Sequence, residues 1–352
     1  MIKSLHLKNM RCFKDFSLED IGKINIISGK NNVGKSTLLE SVFLLFAYNS
    51  PDLFIKTSAI RGIPVLSFTP ELLWEPLFYQ LNSAEELKIS CKDEEGKEQS
   101  LSLQKDESFS VALSSQLPVQ HDLRPMPGGY PLKAIYKYGK NKATGHFIPQ
   151  TNSMSTQWNS PPPQTHPVVQ YLGPRSTDHI NGIAQIFGKA ELSGAKDVLL
   201  ETLRLLDSSI VDLSTIVIAN SAYLYARRSN SKSLLPLSAM GDGISKLLMF
   251  LCSMYTTPGS ILLIDEIENG FHCSFLPTLW AAIKNAIEKT NCQIFATTHS
   301  YECISAAVSD AENIDAELLT YVRLGKENNS IVPHVFRNSD LAFALENEME
   351  VR

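Results

Sequence analysis

The stretch Gly29-Lys30-Asn31-Asn32-Val33-Gly34-Lys35-Ser36-Thr37 restricts the fold more than any other part of the chain. It matches the phosphate-binding pattern G-x-x-x-x-G-K-[ST] at every position. The apolar run Ile24 to Ile27 precedes it and the helical pattern Leu38 to Phe46 follows, so the order is strand, loop, helix. Two glycines let such a loop curl until successive backbone N–H groups face phosphate oxygens, and the next helix adds its positive dipole end at the same place. Gly29, Asn31, Asn32, Gly34, Lys35, Ser36 and Thr37 are therefore the candidate nucleotide-binding residues. Lys35 is placed to reach the β and γ phosphates of ATP, and the Ser36 hydroxyl to ligate Mg2+. The competing reading is a Gly/Asn-rich turn before an ordinary helix, and the flanking pattern argues against it.

Composition narrows the class without naming a partner. A chain of 352 residues that is 43% hydrophobic can bury a large core, as one α/β domain with an insertion or as two domains. Its net charge of −5 gives no whole-molecule attraction to nucleic acid or anionic lipid, so any DNA contact needs a local basic patch. The 6 cysteines are scattered without a C-x-x-C pair, which argues against a zinc site and a disulfide framework. No apolar run reaches the ~18 residues of a membrane span, and the expectation is a cytoplasmic protein with no membrane partner.

Along the chain, Ile2 to Leu7, Phe16 to Leu18 and Ile24 to Ser28 read as an antiparallel β opening. Between Pro51 and Pro167 the character shifts to Pro, Ser and Gln, with short alternating runs at 87–91, 101–103, 109–113 and 134–138. Breaks at 124–129 and 159–163 are loops by composition. Residues 51–167 thus read as an inserted β-rich, partly irregular subdomain, and 1–50 with 168–352 as the core. Past the insertion the pattern gives a strand at 168–172, a helix from about 194 to 206, strands at 210–218 and 222–227, a helix at 244–255, a strand at 261–264, a helix at 276–287, and strands at 293–297 and 318–324. The fold class is α/β: a mixed, mostly parallel central sheet flanked by helices, with an antiparallel N-terminal part.

Three further segments carry chemistry. Ile261-Leu262-Leu263-Ile264-Asp265-Glu266 is a buried strand ending in two acids, which puts Asp265 in the magnesium shell and Glu266 on an attacking water. Alone, such a run is a strand with a solvated end. Ala296-Thr297-Thr298-His299-Ser300 closes the next strand, where His299 can touch the γ-phosphate region, although a strand-end histidine by itself is usually a surface residue. Leu237 to Gly243 opens a helix with Ser238, Gly241 and Gly243, a second anion surface or simply a good cap.

The order of these pieces resembles the ATP-binding-cassette class of P-loop ATPases, in the branch with the structural-maintenance-of-chromosomes (SMC) and double-strand-break-repair ATPases. It is most similar to the stand-alone overcoming-lysogenization-defect type, an AAA-family anti-phage ATPase subunit. Residues 7–13, 29–40, 240–243 and 265–272 carry the likeness, within roughly 1–50 and 168–345. The resemblance implies Ser238 to Gly243 as the signature segment, Asp265 and Glu266 as the magnesium and catalytic acids, Asn269 to His272 as a dimer-facing loop, and His299 as the switch histidine. It implies ATP and Mg2+ as cofactors, a homodimer with composite ATP sites, a larger oligomer left open, and a separately encoded effector, with a DNA-binding repair-type clamp as the alternative and a transporter domain third. Leu-Ser-Ala-Met-Gly stands where the transporter signature has Leu-Ser-Gly-Gly-Gln, and Gln170 beside Arg175 is the candidate for the bridging glutamine. No heptad run of coiled-coil length is present, and no nuclease domain is expected within this chain.

Overall fold

A computed structural model describes residues 1–48, 50, 53–61, 69–106, 130–149, 154–161, 167–173, 178–308, 318–328, 330–337 and 341. The runs anticipated at 109–113 and 124–129, most of the proline triplet, and Arg175 lie outside the described residues. In chain order the strands are β1 (Ile2–Met10), β2 (Phe13–Leu18), β3 (Ile24–Gly29), β4 (Leu87–Asp93), β5 (Glu98–Lys105), β6 (Leu132–Tyr138), β7 (Asn141–Pro149), β8 (Met154–Trp158), β9 (Val169–Leu172), β10 (Ile210–Ile218), β11 (Ser221–Arg228), β12 (Leu235–Pro236), β13 (Ile261–Ile264), β14 (Gln293–Thr297), β15 (Leu319–Glu327) and β16 (Ser330–Arg337). The helices are α1 (Lys35–Ala47), α2 (Leu53–Ile60), α3 (Pro70–Leu73), α4 (Asp178–Leu192), α5 (Lys196–Arg204), α6 (Asp242–Thr256), α7 (Leu276–Thr290) and α8 (Tyr301–Val308).

The chain divides into two compact units, one of Met1–Ile21, Gly29–His166 and Arg323–Val335, the other of Gly22–Ser28, Pro167–Val322 and Phe336–Arg352. The first is built on a seven-stranded sheet in the order β2-β1-β4-β5-β6-β7-β8. Every pairing among its described residues is antiparallel, from Leu7↔Phe16 at one edge to Phe147↔Thr156 at the other. Strand β4 pairs directly with β1 (Leu5↔Cys91, Leu7↔Ile89), so the strands after Pro51 extend the sheet that the N-terminus begins. The composition change at 50 therefore marks no break in the sheet. Alternate residues Leu5, Leu7, Ile89, Leu101, Leu103 and Tyr136 are buried on one face, the period-2 pattern of a one-sided sheet. Helix α1 packs on β4 and β5 and is buried over most of its circumference, as its apolar coverage predicts. At its end Tyr48 stacks on Tyr136 at 3.9 Å.

Inside this unit Glu40 of α1 is fully buried. Arg11, in the turn between β1 and β2, pairs with it at 2.8 Å, and Arg61, just past α2, donates from Nε at 2.6 Å and from a terminal nitrogen at 3.1 Å. Arg61 also donates to the Thr37 hydroxyl at 3.2 Å. Burial pulls the Arg11 pKa below its usual range, with Glu40 working against that.

The second unit carries four parallel strands in the order β3-β14-β13-β9. All of Ile261–Ile264 and Gln293–Thr297 is buried, as an α/β strand requires. A separate antiparallel sheet runs β10-β11-β12. The helix expected at about 194–206 is α5, and α4, which the sequence pattern does not anticipate, precedes it with Gly194 at φ +79° between them. Helix α4 lies on α6, burying Ile183, Ala184, Phe187 and Ala190 at i, i+1, i+4 and i+7. No helix among the described residues is long and apolar enough to cross a membrane.

Replacing Glu40 by Ala leaves two guanidinium groups around a missing carboxylate. We expect a loss of about 3 kcal/mol in urea denaturation; a loss below about 1 kcal/mol would show that the arginines find water or other acceptors.

Candidate functional site

The phosphate loop is a backbone conformation that only glycine fits at two points. Gly29 has φ +134°, and a Cβ there would lie 2.5 Å from the Leu324 carbonyl oxygen. Gly34 has φ +94°, and its Cβ would lie 2.6 Å from Cys12 Sγ and 2.7 Å from Phe13 Cζ. Between them Asn32 takes φ +65°, a left-handed position that asparagine tolerates. Gly34 is the N-cap of α1, no side chain caps the helix, and its first turn holds no acid. The helix therefore opens with N–H donors and positive dipole directed at the loop, suited to an anion. Lys35 is buried and donates from Nζ to the carbonyls of Gly29 at 2.7 Å and Lys30 at 2.8 Å, so the ammonium bridges the loop it belongs to. Asn31 and Asn32 are exposed, Ser36 is half-buried and Thr37 is buried. Burial pushes the Cys12 thiol up against the Thr37 hydrogen bond, so Cys12 packs beneath Gly34 as a neutral group.

In the second unit, β3, β14 and β13 run parallel, so their carboxyl ends share one edge. Strand β3 reaches this edge just before the phosphate loop, β14 ends at Thr297, and β13 is followed by Asp265 and Glu266. The Asp265 carboxylate is held by hydroxyls from both neighbouring strands, Tyr171 donating to Oδ2 at 3.0 Å and Thr297 donating to Oδ1. Its N–H donates to the Leu172 carbonyl at 3.1 Å. Glu266 adopts φ +54°, unusual for glutamate and costing about 1 kcal/mol. Its N–H donates to Thr297 Oγ1 at 2.8 Å and Asn269 Nδ2 donates to its Oε2. Lys246 of α6 donates to the Asn269 carbonyl at 2.8 Å; burial lowers its pKa while Asp242, Glu266 and Glu268 oppose that shift.

His299 follows β14 with its side chain in solvent, and its N–H donates to Glu268 Oε1 at 2.9 Å. Glu268 lies within the 265–272 segment, and spacing alone gives no hint that it receives the His299 backbone N–H. Gln170 donates to Thr257 Oγ1 at 2.6 Å and to the Ser253 carbonyl at 3.4 Å, at the far end of α6. Of the signature residues, Ser238 and Gly241 are exposed, and no side chain caps α6. Gly241 sits at φ +98° before that helix. Gly243 serves packing, since a Cβ there would meet the Gly270 carbonyl oxygen at 2.8 Å. Ser36 and Asp265 each offer oxygen, the donor type that Mg2+ takes.

Two family models match the chain. "AAA ATPase domain" covers residues 1–109, and "AAA domain, putative AbiEii toxin, Type IV TA system" covers 161–305. An "ATP/GTP phosphatase" of Helicobacter pylori is 26% identical across 99% of both chains. The "DNA replication and repair protein RecF" of Clostridioides difficile is 46% identical over 44 residues, 12% of each chain. Among solved structures, an SMC head bound to the C-terminal winged-helix domain of ScpA aligns over 99% of both chains with a TM-score of 0.51 at 12% identity, a likeness of fold. The fold is that of a P-loop α/β protein of the SMC-head kind, and the two matched stretches are similar to AAA-type ATPase domains.

Gly34→Ala should destabilise the loop by more than about 1 kcal/mol, since it combines a left-handed φ with a clash against Cys12 and Phe13. A melting curve and a fluorescent-nucleotide titration check this; an unshifted melt with full binding would mean the loop adopts another conformation.

Proposed function

We propose that the chain is a Mg2+-dependent ATPase in which Gly29 to Thr37 bind ATP, Asp265 holds the metal shell and Glu266 activates the attacking water. The observation that carries this is the carboxyl edge of the parallel sheet, where β3 leads into a complete phosphate loop and β13 delivers two held acids. Mg2+ bound there supplies charge neutralisation across the phosphates. Lys35 exchanges its loop carbonyls for β and γ oxygens, a gain because an anionic acceptor bonds more strongly than a neutral one. Glu266 accepts a proton from water through the carboxylate that Asn269 orients. His299 reports on the γ-phosphate. The "ATP/GTP phosphatase" name of the Helicobacter relative supports nucleotide hydrolysis.

We further propose that the ATPase acts as a dimer switch of the overcoming-lysogenization-defect kind, a sensor or scaffold in anti-phage defence that controls a separately encoded nuclease or toxin in the cytoplasm. The toxin-antitoxin description of the second family model supports a defence setting. The uncapped, Gly-flanked start of α6 with exposed Ser238 supports the dimer as a second helix N-terminus in a chain with one complete loop, against the opposing charge of Asp242 in its first turn. The strands at 51–167 are the proposed effector surface. A DNA-clamp reading is favoured by the RecF match alone.

Lys35→Ala should lose ATP binding by calorimetry, whereas Glu266→Gln should keep it and lose turnover by at least about a hundredfold. Equal turnover in Glu266→Gln and the parent would remove Glu266 as the base. Mixing Lys35→Ala with Ser238→Arg should restore part of the activity, since one interface of a mixed dimer has neither defect. Subunits that exchange without any recovery would count against shared sites.

A further inference from the structure

We infer that Thr297 is a positioning residue for hydrolysis, its one hydroxyl holding the magnesium acid Asp265 and the general base Glu266 in fixed relation; this rests on the function proposed above. A threonine hydroxyl has one proton and two lone pairs. Here the proton goes to Asp265 Oδ1 and a lone pair takes the Glu266 N–H at 2.8 Å, while the Thr297 carbonyl takes the Ile267 N–H at 3.1 Å. The parallel register Ile264↔Ala296 puts Thr297 level with Asp265, so no loop movement is needed to make these bonds.

The consequence is specific to Glu266. Its φ of +54° is a conformation glutamate does not favour, and its N–H bond to Thr297 lies at that turn. Asp265 has a second tether, since Tyr171 on β9 grips Oδ2 while Thr297 on β14 grips Oδ1 from the other side of β13. Glu266 keeps Asn269 on Oε2, but that asparagine is three residues on in the same turn, whereas Tyr171 holds Asp265 from a separate strand; loss of the Thr297 hydroxyl therefore frees the base more than the metal acid. Thr297 is itself fully enclosed and touches no reacting atom, which is why its effect runs through Glu266.

The test compares Thr297→Val, which keeps shape and strand preference but has no hydroxyl, with Thr297→Ser, which keeps the hydroxyl. Steady-state ATP turnover, nucleotide affinity by a fluorescent analogue, and the melting temperature are read on the full chain. Thr297→Val should lower kcat about 10- to 100-fold, with KM and nucleotide affinity changed far less, and Thr297→Ser should recover turnover to within a few-fold of the parent. If Thr297→Val unfolds, Thr297→Ala against Thr297→Ser gives the same comparison. A Thr297→Val protein that hydrolyses like the parent while Glu266→Gln does not would overturn the positioning role and leave the ATPase function standing. So would a Ser variant as slow as the Val or Ala variant. A parent and Glu266→Gln that turn over ATP alike would remove Glu266 as the base and the role of Thr297 with it, whereas a parent that turns over no ATP would overturn the function itself.

Discussion

The parallel pairing of β3, β14 and β13 is the constraint on which the chemistry depends. Parallel strands bring their carboxyl ends to the same side, and the registers Ile27↔Thr297 and Ile264↔Ala296 set the level at which each chain leaves the sheet. Three polar exits therefore share one edge: Ser28 leading into the loop, Thr297 with Thr298, and Asp265 with Glu266. The strands behind them are fully buried. A one-residue slip of β13 would turn Asp265 inward and break its bonds to Tyr171 and Thr297 together.

The motifs were legible because each is a local event, an apolar run that stops at a polar group with a glycine turn or a helix after it. Strands 261–264 and 293–297 were anticipated to the residue for this reason. Contacts that need a partner far along the chain were not. Thr297 reads as one of two threonines before a histidine, and its use as a link between Asp265 and Glu266 requires knowing that β14 lies beside β13. The pairing of β4 with β1 is another such case, since alternation marks a strand but names no neighbour. Helix α4 escaped because its polar start at Asp178 obscures the apolar spacing, and β7 because Gly145 and Pro149 interrupt its alternation. Gly145 is there for Trp158, whose ring would meet a Cβ at 2.6 Å.

Glu40 shows a different balance in the first unit. One carboxylate between two arginines is a costly way to join α1, the β1–β2 turn and the end of α2, because all the charges must leave water. A hydrophobic contact would bind these elements as well but would not fix where the Arg61 guanidinium lies. With Thr37 as its other acceptor, that guanidinium is held against the first turn of α1. The ion pair thus sets the position of a helix start whose backbone forms the loop.

The two halves of the chemistry are prepared in opposite ways. In the first unit Lys35 donates to two neutral carbonyls of its own loop, and on the proposed function phosphate oxygens would replace them, since a charged acceptor makes the stronger bond. The loop is held shut by its glycines while its ammonium stays exchangeable. In the second unit nothing of that kind is left to exchange: Asp265 is held at both oxygens, and Glu266 at its backbone and at one carboxylate oxygen. Groups that must face charge developing during reaction are worth most when no reorganisation is needed at that moment. On the proposed function, an exchangeable ammonium suits uptake of nucleotide and a fixed acid pair suits its hydrolysis.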